Sequence, residues 1–153
     1  MRQRNEAELV KKYFHYLFSE YGFTIIDVKY FEDFSNWVAV LTSDKYRLRF
    51  LEDRGTVTLA IGPLWDPPGW DAGPWFDLSF VIAYLNQEPF AWDYDVLAPA
   101  EPQIERLSHV LRPYMDQICT VFSPDAFPEH HDELRRLWDK WYRDFLNYPA
   151  KRL

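Results

Sequence analysis

The amino-acid sequence predicts an α+β chain: an N-terminal helix, a four-stranded antiparallel β meander, then three to four helices packed on the sheet. Three observations lead there. Apolar residues recur at helical spacing ahead of residue 22, and four alternating runs separated by short turns follow between residues 24 and 61. Helical spacing then returns from residue 76 onward. The chain has 153 residues, 48% of them hydrophobic, and no uninterrupted apolar stretch that would span a membrane. It is therefore expected to be one α+β domain over residues 1–153, large enough to bury most of what its unfolded form would expose.

Asn5 and Glu8 have the spacing of a capping box. After them Leu9, Tyr13 and Leu17, with Val10, Phe14 and Phe18, give the first helix a wide apolar face that ends at Gly22. Thr24 to Phe31 alternates Ile26, Val28 and Tyr30 against Asp27 and Lys29 as a first strand. Trp37 to Thr42, Tyr46 to Leu51 and Thr56 to Ile61 make three more, with Asp53-Arg54-Gly55 as a hairpin turn. Connections this short permit only antiparallel pairing. One face of the sheet should meet the helices, and the other should carry Arg47, Arg49, Thr56 and Thr58 toward solvent. Residues 63–74 read as a Pro/Gly loop, Phe76 to Asn86 as an amphipathic helix, and 87–101 as loop. From Pro102, Ile104, Leu107, Leu111, Met115, Ile118 and Phe122 step along one helical face, with a kink or break expected at Pro113. Ser123-Pro124 or Phe127-Pro128 opens a last helix with a buried stripe of Leu134, Leu137, Trp138, Trp141 and Phe145.

Charge is unevenly distributed. The chain carries 17 Lys+Arg against 24 Asp+Glu, a net charge of −7. Residues 63–105 alone hold eight carboxylates (Asp66, Asp71, Asp77, Glu88, Asp93, Asp95, Glu101, Glu105) and no Lys or Arg, so the remainder sums to +1. The same segment holds four of the seven Trp and seven of the eleven Pro. Carboxylates of one sign steer a cationic partner and repel nucleic acid, while aromatic anchors supply affinity and proline limits the entropy lost when a loop is fixed. The candidate binding set is Trp65, Asp66, Trp70, Asp71, Trp75, Trp92, Asp93 and Asp95. The alternative is that these Trp fold back as cover for the core while the acids keep the outside hydrated, with Asp77 simply favouring a helix start.

Catalytic signatures are absent. There is no Gly-rich phosphate loop, no Gly-x-Ser-x-Gly elbow and no His-Glu-x-x-His. His130 and His131 sit in an acidic run, but adjacent helical residues point about 100° apart, so no metal site is expected there. Asp93/Asp95 or Asp66/Asp71 would suit general acid–base work on a sugar stacked on Trp only if their carboxyls faced each other across the bond. Arg47, Arg49 and Arg54 could grip an anion or line the solvent face. Cys119, the only cysteine, has apolar neighbours and reads as buried and inert. With no apolar segment behind Met1–Arg4 and no possible disulfide within the chain, a reducing cytoplasm is expected.

Three blocks carry a resemblance: Ser19-Glu20-Tyr21-Gly22-Phe23, the run Tyr46 to Val57, and Trp75-Phe76-Asp77-Leu78. Over roughly residues 19–85 the chain resembles a group of small uncharacterised bacterial proteins, some of them similar to immunity proteins of contact-dependent and polymorphic toxin systems. Its strongest element is the hairpin Arg49-Phe50-Leu51-Glu52-Asp53-Arg54-Gly55. The resemblance implies no catalytic residues. It implies a protein that masks a toxin by direct binding, and an acidic surface would suit a basic nuclease toxin. The function expected is thus a non-catalytic binding protein for a basic protein partner, with no nucleic acid, no membrane and no cofactor. The alternative is a small-molecule or sugar-binding domain, or a hydrolase, with a Trp/Asp-lined pocket. A third option is an interaction or oligomerisation module built on the aromatic last helix.

Overall fold

The periodic N-terminal segment folds as two helices rather than one. The structure, a computed structural model, describes residues 5–32, 36–64, 73–90 and 98–152, with side chains of the last helix described as far as Asp144. Helix α1 (Glu6–Tyr13) ends where Phe14 leaves helical geometry at φ −109° and ψ 28°, and α2 (His15–Ser19) follows. The break lets Phe14 enter the core edge-on to Phe50, ring centroids 4.8 Å apart. The expected capping box is not formed. Asn5 makes no side-chain cap bond, and Glu8 pairs instead with Lys11 at 3.3 Å.

Strands β1 (Thr24–Tyr30), β2 (Trp37–Thr42), β3 (Tyr46–Asp53), β4 (Thr56–Pro63) and β5 (Phe76–Asp77) form one antiparallel sheet in sequence order. The meander is as expected, and β5 is an addition. Phe76 and Asp77, expected to open a helix, first pair with Ile61 and Ala60. Two residues are too few to announce a strand by alternation. The β3–β4 hairpin has Arg54 at φ 53° and Gly55 at φ 88°, the two positive values a two-residue type I′ turn requires. Asn36 braces it by accepting from the Arg54 N–H at 2.8 Å.

The register assigns the faces. Trp37, Ala39 and Leu41 align with Glu52, Phe50 and Leu48, and these with Val57, Leu59 and Ile61. This is the core face. Arg47, Arg49 and Leu51 lie opposite, beside Gly62, Ala60 and Thr58. Along β1 the phase differs from simple alternation. A bulge between Ile25 and Asp27 puts Ile25 rather than Ile26 on the core side with Val28, leaves Ile26 43% exposed, and Tyr30, opposite Trp37 at the strand end, is 40% exposed. One extra residue in an edge strand shifts the facing of the residues before it and leaves those after it unchanged.

Helices α3 (Leu78–Asn86), α4 (Ala100–Leu111), α5 (Met115–Phe122) and α6 (Phe127–Arg152) complete the chain, with a 3₁₀ turn Arg112–Tyr114 between α4 and α5. That turn holds Pro113, whose missing N–H explains the expected break. Pro128 lies in the first turn of α6, where no donor is needed. Asp77 caps α3 by accepting from the Ser79 N–H at 2.9 Å. The helices close the core face through Ile104, Leu107, Leu111, Met115, Ile118, Phe122, Phe127 and Leu134, all buried. Tyr16 donates to the Ser108 carbonyl at 2.8 Å, tying α2 to α4, and burial pushes its phenol well above the ordinary tyrosine value. Of the stripe expected on α6, Leu134 is buried and Leu137, Trp138 and Trp141 are half-buried, while Phe145 lies outside the described side chains. Among the described residues no helix is long and apolar enough to cross a membrane.

The second face of the sheet is not the solvent face the alternation suggests. Val38 and Val40 are 1% exposed and Ala60 is 4% exposed, while Arg47, Arg49 and Thr58 are half-buried. With Trp37, Ala39 and Leu41 buried on one side of β2 and Val38 and Val40 on the other, the strand is covered on both faces.

Candidate functional site

The acidic segment enters the structure at β5. Trp75 has the strand parity of Asp77, and its ring lies on the second sheet face directly over Gly62. A Cβ at Gly62 would come within 2.9 Å of both the Trp75 ring and the Pro74 carbonyl oxygen. Glycine there is a matter of close approach rather than of backbone freedom. The Arg49 guanidinium carbon stands 5.2 Å from the Trp75 ring centroid, within cation–π range. The indole N–H is shielded and finds no acceptor among the described residues. Trp75 is half-buried, so it covers the sheet, as in the second of the two readings of these tryptophans. The other seven residues of the candidate set, Trp65, Asp66, Trp70, Asp71, Trp92, Asp93 and Asp95, lie outside the described residues.

Four of the eight carboxylates of the segment are described, and they divide. Asp77 is 7% exposed and occupied in capping α3. Glu101 accepts from the Tyr13 hydroxyl and lies 3.6 Å from the Lys12 Nζ. The Tyr13 hydrogen bond, with the Lys12 charge behind it, holds its carboxyl below the usual glutamate value. Both are thus engaged within the fold. Glu88 and Glu105 are exposed.

Glu88 and Pro89 form a ridge between two open grooves along α3. The larger, about 650 Å³, runs between α3 and α4 over Ile82, Leu107, Val110 and Tyr114, with Arg106 and His109 among its lining. The smaller, about 370 Å³, lies between α3 and α6 and is walled by Phe80, Tyr84, Phe90, Leu137 and Trp141. Its charged groups are Glu88, Lys140 and Asp144. Phe90 and Trp141 meet nearly at right angles, 85° between planes and 4.5 Å between centroids. Trp138 backs Trp141 at 5.1 Å, and Phe80 meets Phe90 edge-on at 5.8 Å. The Tyr84 hydroxyl and His130 Nδ1 are hydrogen-bonded at 2.8 Å, locking α3 to α6. Burial, reinforced by the Glu133 charge, raises the Tyr84 phenol above its ordinary value.

His130 and His131 are occupied separately. His130 meets Tyr84, and the His131 ring packs on Phe127 with centroids 5.1 Å apart. Among the described residues no group of three or more His, Cys, Asp and Glu side chains converges as a metal site would require. Cys119 departs from expectation. It is half-buried and lines an open groove of about 480 Å³ with Lys45 and Asp116, because Met115, Ile118 and Phe122 take the inward positions of α5. Arg54 lies 4.0 Å from Asp53 at the hairpin tip, as a surface pair would.

Two features escape a reading of the sequence. The Phe90–Trp141 corner joins residues 51 positions apart, and no local pattern links them. Gln103, 4% exposed, spans the end of the acidic segment and the β3–β4 hairpin with hydrogen bonds to Val57, Gly55 and Ala98. A glutamine on an otherwise apolar helical face is the only hint the sequence offers.

No family model matches the chain, and neither does any curated protein or any solved structure.

Proposed function

We propose that this chain is a non-catalytic binding protein that engages a basic protein partner through the acidic, Trp- and Pro-rich segment 63–105, in the manner of an immunity protein masking a toxin in the cytoplasm. The observation that carries this reading is the charge segregation: eight carboxylates and no Lys or Arg in 43 residues, against a remainder of +1. Glu88 supports it, because it stands exposed between the two grooves of α3, and Glu105 is exposed on α4. Exposed ion pairs are worth about 0–1 kcal/mol each, so the carboxylates act mainly on the rate and selectivity of encounter, and buried aromatic contacts hold the complex. A second reading, a sugar or small-molecule site, draws on the groove that sets Trp141 beside Asp144.

The test is association kinetics with a basic protein recovered in a stoichiometric complex with this chain from its native cells, at low salt and again at about 1 M, where the Debye length falls to roughly 3 Å. Replacing Asp66, Asp71, Asp93 and Asp95 together by lysine is expected to slow association at least about tenfold at low salt, with the difference vanishing at high salt. Absence of a complex, or an association rate indifferent to both salt and charge reversal, would refute the proposal.

A further inference from the structure

Of the grooves beside α3, the smaller has walls and charges that select one chemistry. Phe90 and Trp141 present two aromatic planes at 85°, and Tyr84 closes a third side. Aromatic faces are electronegative and attract cations held against them, most strongly when water is displaced. Glu88 enters from the loop after α3, and Asp144 from α6 one turn beyond Lys140. Among the described residues no ion pair engages either carboxylate. Among the described lining residues two carboxylates against one ammonium leave a net negative charge, so an anion is repelled and a cation attracted. At about 370 Å³ the cavity is at the small end of ligand sites, suited to a side-chain head rather than to a folded segment.

We infer that this groove receives an arginine side chain of the basic partner, its guanidinium lying against Trp141 and Phe90 and hydrogen-bonded by Glu88 and Asp144. The inference rests on the binding function proposed above and names the chemistry that function would recognise. Arginine suits the site better than lysine. Its planar guanidinium stacks on an aromatic face while its edge donates to a carboxylate, whereas an ammonium is a strongly hydrated point charge that loses more on leaving water. Among the described lining residues Lys140 is the one cation working against the guest. Its charge lies on the same wall as Asp144 and competes for that carboxylate, so removing it should tighten binding.

The probe is the capped tripeptide acetyl-Gly-Arg-Gly-amide, titrated into the full chain while the indole N–H resonances are followed, that of Trp141 being identified by Trp141→Phe. Its citrulline counterpart, which has the same shape without the charge, and choline, a free quaternary ammonium, are titrated in parallel. The arginine peptide is expected to shift the Trp141 resonance saturably and the citrulline peptide to bind at least about tenfold more weakly, the scale of a desolvated cation–π contact. Glu88→Gln and Asp144→Asn should each weaken binding several-fold. Lys140→Gln should strengthen it about two- to fivefold, by analogy with one exposed charge interaction. These three substitutions change exposed groups and leave the core intact, so the test does not depend on removing the Trp141 ring. Equal binding of arginine and citrulline peptides, no saturable shift with either, or weaker binding by Lys140→Gln overturns the inference. Choline binding more tightly than the arginine peptide overturns it also, in favour of a free quaternary ammonium. If the partner binds and responds to charge reversal in residues 66–95 yet is indifferent to Glu88→Gln and Asp144→Asn, the groove assignment fails while the binding function stands. If the peptide binds but the partner does not, the reverse holds.

Discussion

Substituting Gln103 tests how the end of the acidic segment is fixed to the sheet. Past Gly55, β4 has β3 on one side, but on the other side β5 pairs only at Ala60 and Ile61. The Val57 N–H and the Gly55 carbonyl therefore face an edge with no strand among the described residues. Gln103, from α4, takes the place of a peptide group there. Its Oε1 accepts from Val57 N at 2.8 Å, and its Nε2 donates to the Gly55 carbonyl at 2.7 Å and to the Ala98 carbonyl at 2.8 Å. Three hydrogen bonds at about 1 kcal/mol net each set the scale, and a buried Val57 N–H stripped of its acceptor adds a desolvation penalty of about 1–3 kcal/mol. The two overlap. Gln103→Leu, which fills the space and admits no water, should lose about 3–4 kcal/mol, and Gln103→Ala, where a water can enter, about 2–3 kcal/mol. At this chain length 1 kcal/mol corresponds to a Tm change of roughly 2–4 °C, so the leucine variant should melt about 6–16 °C lower. Urea unfolding followed by circular dichroism, with the m-value unchanged, gives the free energy directly. A loss below about 1 kcal/mol in both variants would show that these bonds do not hold the edge and would refute the reasoning.

Two further outcomes follow from the same geometry. Gly62→Ala places a methyl group 2.9 Å from the Pro74 carbonyl oxygen and the Trp75 ring. A loss of about 1–3 kcal/mol in chemical denaturation is expected, and it should be only partly relieved by adding Trp75→Ala, since the carbonyl remains; full relief would show that the ring alone sets the constraint. At high pH, burial holds the Tyr16 and Tyr46 phenols well above the ordinary tyrosine value. The folded chain binds those protons more tightly than the unfolded one, so the stability they confer is intact below about pH 10 and is lost as pH rises further. Tyrosinate absorbance from this pair should appear only together with loss of circular dichroism; titration of all ten tyrosines in a still-folded chain would contradict it.

How much was legible beforehand depended on the range of the physics involved. The meander was readable because strand alternation and the Asp53-Arg54-Gly55 turn act over two to six residues, and the break at Pro113 because a missing N–H is a property of one residue. The failures were of a different kind. The Asn5/Glu8 spacing suits a cap that Asn5 does not make and Glu8 leaves for Lys11, and a bulge that the alternation does not announce puts Ile25 in the place of Ile26 at the start of β1. Cys119 was assigned inward by its apolar neighbours, yet the rotation of α5 is set by Met115, Ile118 and Phe122 against the sheet.

For the site, the sequence by itself determined where the charge is. Composition is additive along a chain, so the −8 of residues 63–105 needs no coordinates. The tertiary structure decided which of those groups remain available. It bound Asp77 into a helix cap, drew Glu101 to Tyr13 and laid Trp75 over Gly62 as cover. It also brought Glu88 and Phe90 to Trp141 and Asp144. Those assignments rest on contacts between residues far apart in the chain, which packing creates and a local pattern does not encode.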